Sequence, residues 1–262
     1  MTDSESLHVL IANDDGYDAS GLTALHAALS GLARVSVVAP ARGVSSAGHG
    51  VTDRRPICVQ RRHVEPFGTI HIVDALPADC VRLALTELLE HRPDWVVAGI
   101  NRGGNLGVDV FYSGTVAVAR EAAFLGVPAV SVSQYLRAGI DGPDWSRATD
   151  WTRSVLKRLF ATPPDARPPI WNVNLPSLLP SEEPGGLVVA PMALTPLQIR
   201  YRQEGGDPAA DGEHYAFAGQ YSQRPAPPGT DVHYAFSGHI TLTPLSLDLT
   251  LRESIEMPDG PT

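Results

Sequence analysis

The 262-residue chain is short of several things at once. It has two cysteines, Cys58 and Cys80, and no C-x-x-C spacing, which excludes a disulfide framework and suits a reduced compartment. It has one lysine, Lys157, against nineteen arginines, so lysine chemistry is missing from most of the chain. Positive charge is also in deficit. The net charge is -9, which leaves no global basic field to draw in DNA or RNA, and nucleic acid is not an expected partner. No apolar run approaches the length that spans a bilayer, so no membrane contact is expected. The opening Met1-Thr2-Asp3-Ser4-Glu5 is acidic and lacks the basic region of a signal peptide. The cytoplasm is the expected location.

What remains is a globular composition, 43% hydrophobic and 19% charged, long enough for one large α/β domain with a sizeable core. An acidic protein that handles an anion needs local help from a metal, arginines or backbone amides. The element pattern begins with an apolar run over residues 7–12, ended by Asn13-Asp14-Asp15-Gly16, which reads as a buried strand and a turn. Ser20-Gly21 opens a helix with Leu22, Leu25, Ala28 and Leu29 on one face, and Asp18 is its capping candidate. A second strand covers 34–39. Strand, helix, strand at this spacing implies a parallel sheet.

The pattern then predicts strands at 57–59 and 69–73 around the basic pair Arg61-Arg62, and a helix over 78–90. A strand at 94–100, a helix over 113–125, a strand at 128–133 and a helix over 145–160 follow. Short strands at 170–174 and 187–190 lie between prolines. Residues 200–230 are rich in Gly, Pro and polar residues and read as a protruding arm, and strands are expected within 232–251. No internal repeat is present.

Ligands bind at the carboxyl ends of strands in open parallel sheets. Three polar loops sit at such ends: 13–16, 43–49 and 101–107. Two adjacent carboxylates, Asp14 and Asp15, repel one another unless a cation neutralises them. An Asp-Gly turn accounts for the same residues equally well. Asn101 supplies an amide oxygen and Ser45 a hydroxyl. With the two carboxylates they make a set of hard oxygen donors suited to Mg²⁺ or Mn²⁺ rather than zinc. Taken singly, Asn101 reads as an ordinary loop residue and Ser45 as a solvated hydroxyl. Ser113-Gly114-Thr115 stands before an apolar helix, where free N–H groups and the helix dipole hold phosphate, although Ser113 also suits a plain N-cap. His49 is a candidate acid or phosphate contact, or a surface loop residue. Arg54, Arg55, Arg61 and Arg62 fit a solvated hairpin face better than a substrate funnel.

At these motifs the chain resembles the SurE survival-protein family of 5′/3′-nucleotidases. The resemblance rests on residues 10–22, on Val38-Ala39-Pro40, on Ser45 to His49 and on Pro77-Ala78-Asp79-Cys80-Val81. It is strongest from Gly99 through Ser133, with Gly99-Ile100-Asn101, Asn105-Leu106-Gly107, Asp109-Val110 and Tyr112-Ser113-Gly114-Thr115-Val116. Gly229-Thr230-Asp231 and residues 240–245 also fit.

The resemblance implies a Rossmann-like α/β core with a mostly parallel sheet over residues 1–190. It implies a β-rich C-terminal extension over 191–262 whose arm, about 200–236, builds a homodimer or homotetramer. It implies a phosphatase acting on nucleoside monophosphates or a related phosphorylated small molecule. One divalent ion per subunit, Mg²⁺ or Mn²⁺, is expected on Asp14, Asp15, Ser45 and Asn101, with Asp14 and Asp15 catalytic. Asn13, Gly48, His49, Asn105, Ser113, Gly114 and Thr115 are the expected phosphate and substrate contacts. The chain departs from the family at Val44, where an arginine is usual, at Ala75-Leu76 before Pro77, and at Ala122-Ala123; these bear on substrate preference and remove no metal ligand. Two rivals are weaker. A phospho-receiver module needs a lysine after a late strand, and residues 128–135 contain none. A Mg²⁺-dependent sugar-nucleotide transferase would use a similar acidic pair. A dinucleotide-binding domain is a further weak rival, since no G-x-G-x-x-G follows the first strand.

Overall fold

The computed structural model describes residues 7–44, 47–163, 169–196, 198–205, 212–219 and 221–250. Strand β1 (His8–Ala12) is buried at every position. Its side chains alternate between faces, so Val9 and Ile11 enter one core cluster while Leu10 and Ala12 enter the other. Burial on both faces is why the run carries no polar alternation. Helix α1 (Ser20–Leu29) lays Leu22, Leu25 and Leu29 on the first face. Its capping residue is Ala19, with no side-chain bond. Asp18 therefore does not cap α1: the Ala19 carbonyl already accepts from the amides of Leu22 and Thr23, which starts the helix one residue too late for it. Gly21 is required where α1 crosses the sheet, since a Cβ there would lie 1.9 Å from the Ile100 carbonyl oxygen.

Strand β2 (Arg34–Pro40) pairs in parallel with β1. Strands β3 (Val59–Val64) and β4 (Gly68–Val73) form an antiparallel hairpin, and β4 joins β2 in parallel. The strand expected at 57–59 in fact runs through Arg61 and Arg62. All four residues from Gln60 to His63 are exposed on an edge strand, where no apolar alternation is required. Helix α2 (Pro77–Leu83) widens into a π turn over Ala84–Leu88, so the regular helix ends sooner than its apolar spacing suggests.

Strand β5 (Trp95–Arg102), helix α3 (Gly114–Phe124), strand β6 (Ala129–Gln134), helix α4 (Trp145–Phe160) and strand β7 (Ile170–Leu175) continue the alternation. Strand β8 (Leu187–Val189) follows. Strands β9 (Tyr201–Gly205) and β10 (His214–Phe217) form a separate antiparallel ribbon within the arm. Helix α5 (Asp231–Phe236) occupies the start of the stretch 232–251, where strands were expected. The Thr230 hydroxyl accepts from the His233 amide, and Val232 and Ala235, three apart, share the buried side. Strand β11 (Ile240–Leu245) completes the sheet.

The nine-stranded sheet runs β3-β4-β2-β1-β5-β6-β7-β11-β8. It is parallel from β4 to β7, with β3 and β11 antiparallel to their neighbours β4 and β7. Residues of α1 and α4 pack on one face and residues of α2 and α3 on the other, giving a three-layer α/β core. β11 lies between β7 and β8, so the chain beyond residue 190 returns to the core sheet rather than staying apart from it.

Strands β2, β1 and β5 are parallel neighbours. The three polar loops that follow them therefore share one edge. The chain winds outward from β1 through β2 in one direction and from β5 through β7 in the other. The crevice between β1 and β5 is the topological switch point, where open α/β sheets place their ligands.

Candidate active site

A cleft of about 270 Å³ opens at that switch point, lined by Asp14, Asp15, Asn101, Arg102, Gly104, Asn105, Asp109, Tyr112, Ser113 and Gly114. Of the expected metal ligands it brings together Asp14, Asp15 and Asn101. Ser45 lies outside the described residues. Of the described residues nearby, the Val44 amide donates to the Asp14 carbonyl at 2.7 Å, and the Gly48 amide to the Tyr112 carbonyl at 3.2 Å.

Asp14 is 7% exposed and accepts a 2.6 Å hydrogen bond from the Thr115 hydroxyl. Burial pushes its carboxyl from an ordinary 3.8 up to about 6; the Thr115 bond opposes that rise and the charge of Asp15 adds to it. Burial also raises Asp15, opposed by the Arg102 amide and charge. The Arg102 amide donates to the Asp15 carboxylate at 3.3 Å. Two acidic groups are thus held side by side where ionising both is unfavourable without a cation. Asn101 donates its side-chain amide to the Gly103 carbonyl at 2.8 Å, which leaves its oxygen as the end able to ligate. Among the described residues no group of three or more His, Cys, Asp or Glu is placed to hold a metal. The donor set at the cleft is accordingly two carboxylates and neutral oxygens, which matches a hard ion.

Helix α3 points its N-terminus into the same cleft. The Ser113 hydroxyl accepts from the Val116 amide at 3.0 Å, a true N-cap. Gly114 lies against Asp14: a Cβ there would sit 2.8 Å from both Cβ and Oδ2 of Asp14. Thr115 was expected to contact substrate, but its hydroxyl is taken by Asp14. Gly48 likewise spends its amide on Tyr112. Asn13 is 1% exposed and donates to the Gly16 carbonyl at 2.7 Å. Among the described residues its oxygen is buried without a partner, so what it offers is an acceptor, suited to a water or hydroxyl rather than a phosphate oxygen.

His49 is not among the cleft-lining residues. Its Nε2 meets the buried Glu121 carboxylate at 2.7 Å, and its ring stacks on Phe124. The Arg82 Nε donates to the other Glu121 oxygen at 2.6 Å. The sequence reading missed Glu121, which sits on the apolar-looking helix α3 with nothing nearby in sequence to mark it.

Asn105 lines the cleft and is held from below. Its backbone amide donates to the Asn174 side-chain oxygen at 2.8 Å, and its side-chain amide to the Ser133 hydroxyl at 2.8 Å. The side-chain amides of Asn172 and Asn174 both donate to the Asn105 carbonyl. Ser131 and Ser133 on β6 stand in register with Asn172 and Asn174 on β7. This buried polar ladder was also missed, yet its signal was present: polar residues at a period of two inside otherwise apolar strands.

From the C-terminal side, Arg224 and the Tyr221 hydroxyl both donate to the Asp109 carboxylate. The Tyr221 hydroxyl is also 3.1 Å from the Gly104 carbonyl. Burial raises the Tyr221 hydroxyl, and so does the neighbouring Asp109 charge. Asp231 accepts from the amides of Gly107 at 2.6 Å and Ala193 at 2.8 Å, tying the glycine-rich loop to α5.

With this geometry in view, comparison with known proteins is informative. Residues 9–198 match the model of the family described as Survival protein SurE. A protein of Methylococcus capsulatus named 5′-nucleotidase SurE is 41% identical over 253 residues, covering 95% of each chain. A relative from Nostoc sp. is 40% identical over 237 residues, 90% of this chain and 98% of that one. The crystal structure of the SurE protein from Aquifex aeolicus superposes with a TM-score of 0.77 at 36% identity, covering 93% of this chain and 94% of that one. The chain belongs to the SurE survival-protein family.

Proposed function

We propose that the chain is a divalent-metal-dependent phosphatase that hydrolyses nucleoside monophosphates, or a closely related phosphorylated small molecule, to the alcohol and inorganic phosphate. The observation that carries this reading is a convergence. The acidic pair after β1, the amide oxygen of Asn101 at the end of β5 and the N-terminus of α3 line one cleft at the switch point. The relative named 5′-nucleotidase SurE supports the substrate class.

Asp14, Asp15 and Asn101, joined by Ser45, would hold one Mg²⁺ or Mn²⁺ per subunit. When bound, such an ion polarises a phosphoryl oxygen and eases deprotonation of a water. The protein's own groups carry the rest. Ser113 and the first amides of α3 face the transferring phosphoryl group with the positive end of the helix dipole. Asp14 or Asp15, both lining the cleft, takes the proton of the attacking water. We further propose a homodimer or homotetramer built through the C-terminal arm, and a cytoplasmic location. No described helix is long and apolar enough to cross a membrane.

The test is phosphate release from a panel of nucleoside monophosphates and sugar phosphates with Mg²⁺, Mn²⁺ or EDTA. Metal-dependent, EDTA-sensitive release is expected, with the ranking across the panel naming the substrate. Release from no substrate under any metal condition would overturn the reading.

A further inference from the structure

We propose that Arg102 is the substrate-anchoring cation of the cleft, gripping the phosphoryl oxygens of an incoming phosphomonoester dianion. The inference rests on the phosphatase reading above and adds a residue to it.

The cleft is strongly acidic. Asp14, Asp15 and Asp109 all line it, and Arg102 is the single cationic side chain among the described residues that does so. Asp109 is balanced by Arg224, but a dianion approaching the Asp14–Asp15 pair is repelled unless positive charge is placed to receive it. Arg224 is close by but already committed: it is ion-paired to Asp109 and its side chain is only 7% exposed. The guanidinium of Arg102 has no hydrogen bond or ion pair among the described residues; the bond it makes is through its backbone amide, to Asp15.

Its anchor point is nevertheless rigid. Arg102 ends β5, in register with Gln134 of β6, and the next amide, Gly103, donates to the Gln134 carbonyl at 3.0 Å. The backbone is therefore pinned beside a metal-ligand candidate while five donors in a planar fork remain unspent. That fork matches a phosphate edge in a way a lysine does not. The guanidinium is close enough to Asp15 for its charge to favour the ionised carboxylate. A competing account follows from this: Arg102 acts only by keeping Asp15 charged for the metal.

The experiment separates the two. Arg102→Ala and Arg102→Lys are compared with wild type in the full chain at saturating Mn²⁺. Three quantities are read: kcat and KM for adenosine monophosphate, the affinity for inorganic phosphate by calorimetry, and the affinity for Mn²⁺ alone. Arg102→Ala should raise KM and weaken inorganic phosphate by about tenfold each, with kcat and Mn²⁺ affinity within about threefold of wild type. Arg102→Lys should recover part of the loss, and the effect should shrink as salt rises. Unchanged KM and phosphate affinity would overturn the proposal. So would a KM change fully explained by weaker Mn²⁺ binding. If the wild type binds phosphate yet turns over no substrate, the phosphatase reading fails by itself. The phosphate affinity of Arg102→Ala then still decides the role of Arg102.

Discussion

Asp14 and Asp15 are neighbours in sequence but not equivalents. Asp14 is enclosed by Thr115 and Gly114, whereas Asp15 is half-buried and faces Arg102. The difference gives Asp14 a pH signature. Its carboxyl ionises near 3.8 in the unfolded chain and at about 6 when folded. A group raised on folding supports the fold in its protonated form, fully below its unfolded value. That support is withdrawn as pH climbs through about 6. Metal-free wild type should therefore lose stability relative to Asp14→Asn between about pH 4 and pH 8, by up to about 3 kcal/mol. Urea melts in chelator at both ends of the range measure this, and a difference that does not change with pH would refute it. Asp15→Asn should lower kcat by at least about a hundredfold while leaving the circular dichroism spectrum intact, because it removes charge from the donor set without changing its shape. Activity near the wild-type level would remove Asp15 from the site. Gly114→Ala tests the contact from the other side. Alanine is tolerated at the first position of a helix, yet its methyl would press into the Asp14 side chain. Displacing that carboxylate should cost at least about tenfold in activity while the protein still folds. Full activity would mean that the packing between α3 and Asp14 is loose.

Elements were legible where burial leaves a period and opaque where it does not. β1 and α4 announce themselves, the first as an unbroken apolar run and the second as an apolar stripe along sixteen residues. β3 does not, because four consecutive exposed residues carry no alternation. α5 does not either: six residues hold less than two turns, so the spacing of Val232, Ala235 and Phe236 is too short to read, and Val232, Tyr234 and Phe236 mimic the alternation of a strand. The site divides in the same way. Asp14, Asp15 and Asn101 stand out because each interrupts an apolar strand end. Their convergence is a matter of strand order, which no local pattern encodes. Asp109 and Asp231 stand inside motifs of the family resemblance, but their roles were not legible because key partners, Tyr221 and Gly107, lie more than a hundred residues away. Asp231 shows what such a tie is worth. It is fully buried and holds the amides of Gly107 and Ala193. Asp231→Ala leaves both donors without an acceptor, at about 1–3 kcal/mol each. A loss of roughly 3 kcal/mol in urea unfolding is expected. Faster amide exchange across residues 103–111 should accompany it, since α5 is what secures that loop. Unaltered exchange there would show the loop to be held by the β6–β7 ladder and by Tyr221 and Arg224 instead.

At the scale of the molecule, the arm presents a problem that a lone chain does not solve. The β9–β10 ribbon stands apart from the nine-stranded sheet and turns its aromatic residues outward. Tyr201 is 63% exposed, Tyr215 57% and Phe217 65%. Tyr201 and Phe217 are a cross-strand pair in edge-on contact at 5.9 Å, so they form one apolar patch rather than scattered side chains. A two-stranded ribbon is marginal in water unless a face of it is covered. Elsewhere Phe111, Phe124, Leu194 and Leu249 line an apolar groove of about 670 Å³ that is distinct from the acidic cleft. Exposed apolar surface of this extent marks an interface in a protein that stays dispersed. A second copy of the chain fits the homodimer or homotetramer proposed above. Light scattering should then give a mass at least twice the 27.9 kDa of one chain. Replacing Tyr201 and Phe217 together by Asp should shift the mass toward that of one chain. The far-ultraviolet spectrum should hold, because neither residue contributes to the buried core. A wild type that already runs at the single-chain mass would refute the assembly. A double variant that keeps the oligomer would move the contact off the arm and onto the groove.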